Sequence, residues 1–181
     1  MTNYVSVKPD LRLPKKISGT GTYGDSSYAV KFKASWADGR YEIDSVEVVR
    51  QKGADPIDGG VLRGVRVAQA FEYLMHSAGA EGNDNGIQLA DGTPYNFPYK
   101  FALSFDDGKG EITITPTLEV SINREDAEKA RLLEAARIHS IATAYGVRSL
   151  YLVANVLGIT QRTASRLILK AREVGLLEDE K

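Results

Sequence analysis

Two short apolar patterns joined by a glycine, near the end of the chain, most constrain how this sequence folds. Apolar side chains recur with the spacing of one helix face at Leu150, Val153, Ala154 and Leu157. Gly158 follows, and glycine enters the left-handed backbone region without the steric cost that a Cβ atom imposes. Thr160 is suited to N-cap a second helix, because its hydroxyl accepts a free backbone N–H. Residues 150–172 are therefore predicted to form two helices at a sharp angle.

The second of these helices is predicted to have an apolar and a polar side. The positions expected to face inward are Ala164, Leu167, Ile168 and Ala171, and those expected to face outward are Gln161, Arg162, Thr163, Ser165, Arg166 and Lys170. No acidic residue lies between Gly146 and Arg172, although the whole chain has a net charge of −1. The positive charge is therefore local, and a local cationic surface is suited to a phosphate backbone.

This stretch resembles the helix-turn-helix of bacterial DNA-binding regulators. In that motif a small residue lies in the first helix, a glycine follows four positions later, and an apolar residue comes next; Ala154, Gly158 and Ile159 occupy these places. The resemblance implies that the second helix enters the major groove of DNA. We expect base contacts from Gln161, Arg162, Thr163 and Arg166. We expect phosphate contacts from Arg148, Ser165, Lys170 and Arg172.

Residues 1–122 are predicted to form a β-rich region. Alternating apolar residues on either side of Asp38-Gly39 predict an antiparallel hairpin spanning about 27–50. Residues 67–78 have the apolar spacing of an amphipathic helix that packs on a sheet. A second hairpin is predicted at about 99–120, after a long loop at 79–98.

The rest of the chain is predicted to be helical. Asn123 is placed to cap a long helix at about 124–145, whose apolar stripe is wider than one packing partner needs. The expected fold class is α+β. An N-terminal antiparallel β-sheet domain with one packed helix (1–122) precedes an all-α helix-turn-helix domain (123–181).

The composition argues against several classes of protein. Cysteine is absent, so disulfides and thiolate metal sites are excluded, which fits a reducing cytoplasm. The two histidines, His76 and His139, are each alone, without the spacing of a metal site or a catalytic triad. We expect no cofactor, no metal and no enzyme activity. Neither a secretory signal nor a membrane-spanning run is visible, and we expect a cytoplasmic protein.

The layout also resembles an uncharacterised group of actinobacterial and actinophage proteins of similar size. The resemblance rests on the strand pair YAVKFKASW–DGRYEIDSVEVV, on VLRGVRVAQAF, and on the C-terminal pattern A-x-x-LGIT-x-x-TA-x-R-x-x-x-x-AR-x-x-GLL. This chain has Val147-Arg148-Ser149 where a proline-containing helix start is expected. Members of the group often lie in prophages or mobile elements, which implies a DNA-binding role there.

These observations lead to one main functional hypothesis and two alternatives. The main hypothesis is a transcriptional regulator of a phage or mobile element that binds double-stranded DNA as a homodimer. Its N-terminal domain is the candidate for dimerisation or for binding a partner protein. The first alternative is a protein–protein adaptor whose basic helix pair binds an acidic partner. The second is a ligand sensor in which Tyr95, Phe97 and Tyr99, in and beside the 79–98 loop, close over a pocket.

Overall fold

The computed structural model describes residues 3–23, 27–65, 86–95, 99–106, 109–116 and 124–178 of the chain. In these segments antiparallel strands make up most of the N-terminal part and three helices follow them at the C-terminal end, so the predicted α+β class is confirmed. The strands are β1 (Tyr4–Val7), β2 (Leu11–Pro14), β3 (Lys16–Tyr23), β4 (Tyr28–Ala37), β5 (Arg40–Arg50), β6 (Gln88–Leu89), β7 (Tyr99–Asp106) and β8 (Lys109–Pro116). The helices are α1 (Gly59–Gly64), α2 (Arg124–Ala144), α3 (Ser149–Val156) and α4 (Gln161–Glu173).

The described strands pair only in antiparallel fashion. They form a sheet in the order β1-β2-β6, a second sheet in the order β3-β4-β5, and the β7-β8 hairpin. The β4-β5 hairpin turns at Asp38 and Gly39, whose φ angles of 46° and 86° are those that a two-residue turn between twisted strands requires. The hairpin predicted at 27–50 is thus confirmed.

The alternation predicted for β4 is also confirmed. One face of this strand is buried, at Tyr28, Val30, Phe32 and Ala34. Lys31 and Lys33 point to the other face and are exposed. Because successive side chains of a strand point to opposite faces, this pattern directs one side of the sheet toward the protein core.

The sequence did not indicate β1, β2, β3 or β6. β6 lies in the segment predicted as a long loop and pairs with β2, where Leu89 faces Leu11 across the ladder. The neighbouring Ile87 is buried. The amphipathic helix predicted at 67–78 lies outside the described residues, as do Asn123 and the predicted domain boundary near Ile122.

Helix α2 is the centre of the core. Six of its residues have no measurable exposure or almost none: Ala135, Ala136, Ile138, Ile141, Ala142 and Ala144. The buried residues form one cluster that runs from Leu11 and Phe32 in the sheets, through α2, to Val153 and Ile168 in the last two helices. The wide apolar stripe predicted for α2 is therefore covered by the N-terminal sheets and by the helix pair α3–α4.

Two tyrosines join the sheet to the end of α2. The rings of Tyr41 and Tyr145 lie 4.8 Å apart between centroids, and the Tyr41 hydroxyl donates a hydrogen bond of 2.7 Å to the Pro14 carbonyl oxygen. Burial raises the pKa of both phenols well above the ordinary value, so both stay protonated. This contact therefore adds aromatic packing to the core without introducing a buried charge.

A half-buried polar cluster links α2 to the N-terminal segments on its other side. Arg137 donates from its Nε and Nη2 atoms to the two carboxylate oxygens of Asp10, the Nε bond being 2.9 Å long. The Tyr95 hydroxyl donates to Glu134, and the Arg137 guanidinium lies 5.6 Å from the centre of the Tyr95 ring. The Asp10 hydrogen bond raises the pKa of Arg137 above its ordinary value. This fork geometry fixes orientation as well as supplying energy.

We expect Arg137→Met to lower the free energy of unfolding by about 2 kcal/mol, because it removes two charge-assisted hydrogen bonds from a half-buried site. Urea unfolding followed by circular dichroism measures the change. Arg40→Met is the matched control, since Arg40 pairs with Glu42 at the protein surface. The two side chains are 66% and 54% exposed, respectively. Exposed pairs contribute at most about 1 kcal/mol. Equal losses in the two variants would contradict a structural role for the Arg137 cluster.

Candidate nucleic-acid interface

The turn between α3 and α4 is stabilised by two backbone hydrogen bonds at the end of α3. The Ile159 N–H donates to the Ala154 carbonyl at 2.9 Å, and the Gly158 N–H donates to the Asn155 carbonyl at 3.2 Å. Gly158 has a φ angle of +61°, in the left-handed region. This is the glycine-dependent helix ending in which two otherwise free carbonyls are satisfied. It forces the chain to change direction at Gly158, where the sequence predicts the turn.

Thr160 caps α4 as the sequence predicts. Its backbone is extended, with φ −70° and ψ 152°, and its Oγ1 accepts a hydrogen bond of 3.2 Å from the Thr163 N–H. The cap satisfies one of the free N–H groups of the first turn. Because no acidic residue occupies that turn, the positive end of the helix dipole adds to the positive charge of the nearby arginines.

The two sides of α4 also agree with the prediction. Ala164, Ile168 and Ala171 are buried and Leu167 is partly buried. The six side chains predicted to face outward are all exposed: Gln161, Arg162, Thr163, Ser165, Arg166 and Lys170. The four expected base-contacting residues thus share one accessible helix surface. Arg162 and Arg166 are four positions apart, which places them on the same helix face.

The arginines of this face have no acidic neighbour among the described residues. Within that part of the chain, no carboxylate lies at ion-pair distance from Arg162 or Arg166. Elsewhere among the described residues, the exposed Lys31 pairs with Glu47 at 3.6 Å and the exposed Arg40 pairs with Glu42 at 3.5 Å. The positive charge on the first two turns of α4 is therefore directed to solvent.

The four expected phosphate-contacting residues are in different environments. Arg148 immediately precedes α3 and is exposed, as is Ser165. Arg172 is half-buried. The Lys170 Nζ atom donates to Glu128 Oε1 on α2 at 2.6 Å, and this bond holds the pKa of Glu128 below its ordinary value. Lys170 thus already has a carboxylate partner, which competes with a phosphate for its charge.

The inward face predicted for α3 is partly wrong. Leu150 was expected to face the core, but 36% of its surface is exposed. Val153 and Ala154 are buried as predicted and Leu157 is partly buried, while Leu152 and Val156, which were not predicted, are also buried. The cause is that α3 is apolar on nearly every side, so its sequence period is compatible with more than one orientation.

Three residues of this region were not assigned a role by the sequence patterns. Leu169 and Tyr151 are 57% and 46% exposed, and Glu128 pairs with Lys170. The position of Leu169 could have been found from the sequence, because it follows Arg162 by seven positions and Arg166 by three. The Glu128 contact joins two separate helices and leaves no local signal.

The sensor hypothesis expects Tyr95 to close over a ligand pocket, and the structure places this side chain in a different environment. Tyr95 is 7% exposed, and its hydroxyl is engaged by Glu134. The side chains of Phe97 and Tyr99 lie outside the described part. Across the segments that the structure describes, no three acidic or histidine side chains are grouped as metal ligands, and no helix is long and apolar enough to cross a membrane.

Comparison of the chain with protein-family models, with curated proteins and with solved structures gives no match. The exposed surface of α4 and its surroundings are therefore the features of the chain that bear on its function.

We expect Gly158→Ala to lower the free energy of unfolding by about 1–2 kcal/mol. An added Cβ meets no atom within 4 Å, so the loss comes from the left-handed backbone alone. Gly158→Asn is the matched control and loses less, since asparagine enters this region more readily. Thermal or urea unfolding gives both values. An alanine variant as stable as the parent chain would show that the turn does not need a left-handed residue.

Proposed function

We propose that this protein binds double-stranded DNA by inserting α4 into the major groove. The observation that supports the proposal is the exposed surface of Gln161, Arg162, Thr163 and Arg166, held outward by the buried side of the same helix. α4 has 13 residues and is therefore about 20 Å long. An α-helix with its side chains is about 10–12 Å in diameter and fits a major groove that is about 12 Å wide.

The side chains of α4 differ in the DNA groups they can recognise. Arg162 and Arg166 each present a planar fork of donors, which matches the O6 and N7 acceptors of guanine. Gln161 has both a donor and an acceptor and suits adenine. Thr163 bonds to either base edges or phosphates, but its hydroxyl also lies 3.0 Å from that of Thr160. The two arginines therefore carry most of the proposed sequence recognition.

Phosphate contacts orient the helix on the duplex. Arg148 and Ser165 are exposed and ready for this role, and Arg172 and Lys170 complete the set after local rearrangement. One such helix makes few contacts, so we propose a homodimer that reads two related half-sites. The N-terminal β-rich part holds the dimer together or binds a partner protein. The cellular role that fits is a cytoplasmic transcriptional regulator of a phage or mobile element.

We expect full-length protein to enrich a motif with two related half-sites from a pool of random duplexes at near-physiological salt. On that motif, Arg162→Ala with Arg166→Ala raises Kd by at least about 30-fold, because each bidentate arginine–guanine contact contributes about 1–3 kcal/mol. Fluorescence anisotropy measures Kd, and analytical ultracentrifugation verifies that the assembly state is unchanged.

The control variant for this experiment is Arg40→Ala with Arg50→Ala. It removes two exposed arginines from β5 and changes the net charge by the same amount. An equal loss of affinity in the control would mean that only overall charge attracts DNA. Unchanged affinity in the α4 variant would refute the assignment of α4 as the recognition helix.

The Lys170–Glu128 contact favours the adaptor as the second candidate function. In this contact the Lys170 ammonium donates a hydrogen bond of 2.6 Å to a protein carboxylate. An acidic segment of a partner protein would make the same kind of contact with α4. Salt weakens both kinds of binding and does not separate them. A partner that stays bound when excess duplex is added, together with no duplex enrichment, would establish the adaptor function instead.

We expect Glu128→Gln to tighten DNA binding by about two- to fivefold, the range that corresponds to an exposed ion pair. In the parent chain the Glu128 carboxylate competes with a phosphate for Lys170, and its negative charge lies near the duplex. Removing that charge also steepens the slope of log K against log salt by about one. Anisotropy titrations at several salt concentrations measure both quantities.

The matched control is Glu42→Gln, which neutralises an exposed, paired carboxylate on β5 and leaves DNA affinity unchanged. Combining Glu128→Gln with Lys170→Met abolishes the gain, since the freed cation is no longer present. If Glu128→Gln leaves both affinity and salt slope as they were, Lys170 does not contact the phosphate backbone.

A further inference from the structure

Leu169 is an apolar residue on the polar side of α4. Its exposed fraction, 57%, is among the highest of the large apolar side chains in the described residues. It lies seven positions after Arg162 and three after Arg166, so the three side chains form one row along the outermost face of the helix. The row ends at Glu173, which is also exposed. Leu169 therefore occupies the last place on this row before negative charge begins.

The surroundings of Leu169 determine what kind of surface fits it. The two arginines precede it on the same row, Ser165 lies one turn before it, and these neighbours are all exposed. Covering an exposed leucine is favourable, because it removes apolar surface from water. The fitting surface therefore combines negative charge and hydrogen-bond acceptors with a small apolar group in line with them.

The major groove of DNA has this combination. Guanine presents acceptors, the backbone is negative, and thymine adds a C5-methyl group that apolar side chains contact. We propose that Leu169 reads the methyl group of a thymine in each half-site, next to the bases contacted by Arg166. This inference rests on the proposed DNA binding and names one further element of the target sequence.

A second copy of the chain is the other surface that fits this row. Two copies that run antiparallel about a two-fold axis through Leu169 bring Arg166 of each near Glu173 of the other, and these charges attract. The groove is the occupant that follows from the proposed DNA binding: because Leu169 lies on the same row as Arg162 and Arg166, a groove that receives both arginines also faces the leucine.

The test replaces thymines of the selected duplex one at a time with deoxyuridine, which lacks only the C5-methyl group. For the parent protein, one replacement per half-site weakens binding by about fourfold, the effect expected for one buried methyl group. Leu169→Ala binds the thymine and uracil duplexes equally. The parent and variant chains are compared on the same duplexes by fluorescence anisotropy.

Val174→Ala is the matched control. Val174 has the same 57% exposure but follows the last residue of α4 and lies off the row. This variant keeps the fourfold difference between thymine and uracil. Sedimentation of Leu169→Ala, compared with the parent chain, shows whether the substitution changes self-association.

Three results would overturn the inference. If Leu169→Ala keeps the same preference for thymine, another residue reads the methyl group, although sequence-specific DNA binding stands. If the variant loses self-association and its thymine preference is unchanged, Leu169 is a subunit contact. If the parent chain enriches no duplex, the proposed function fails and the thymine contact fails with it.

Discussion

The burial of α2 on two sides is the constraint on which the rest of the structure depends. Its small and branched side chains are buried against the sheets on one side and against the helix pair on the other. Small residues such as Ala135 and Ala136 allow close approach, while Ile138 and Ile141 fill the space between the layers. The Tyr41–Tyr145 contact and the Asp10–Arg137 cluster then fix α2 at separate points along its length. Moving α2 would open the core on both sides.

Local features of the fold could be predicted because their causes lie within a few residues of each other. Asp38-Gly39 sets a turn through its own backbone preferences, and Gly158 and Thr160 end one helix and start the next. The exposed face of α4 follows from a period of 3.6 residues. For the same reason most of the candidate interface could be found from the sequence.

The remaining features depend on contacts between distant parts of the chain. Asp10 and Arg137 are 127 positions apart, and the pairing of Glu128 with Lys170 spans 42. β6 has two residues and owes its strand conformation to β2, so no periodic pattern is available to indicate it. The prediction that Leu150 faces the core was wrong because α3 is apolar on nearly every side and can turn more than one face inward. In each case a contact with a residue distant in the sequence determines the local structure, and the local sequence pattern does not identify that residue.

The continuous core has a geometric consequence for how two chains would be arranged on DNA. α4 packs against α2, and α2 packs against the sheets, in one continuous cluster of buried side chains. A flexible linker would let the two copies of α4 in a dimer adapt to half-sites at different distances. In the proposed dimer held by the sheets, side-chain packing in the core would therefore fix the distance between the two copies of α4, and with it the spacing of the half-sites.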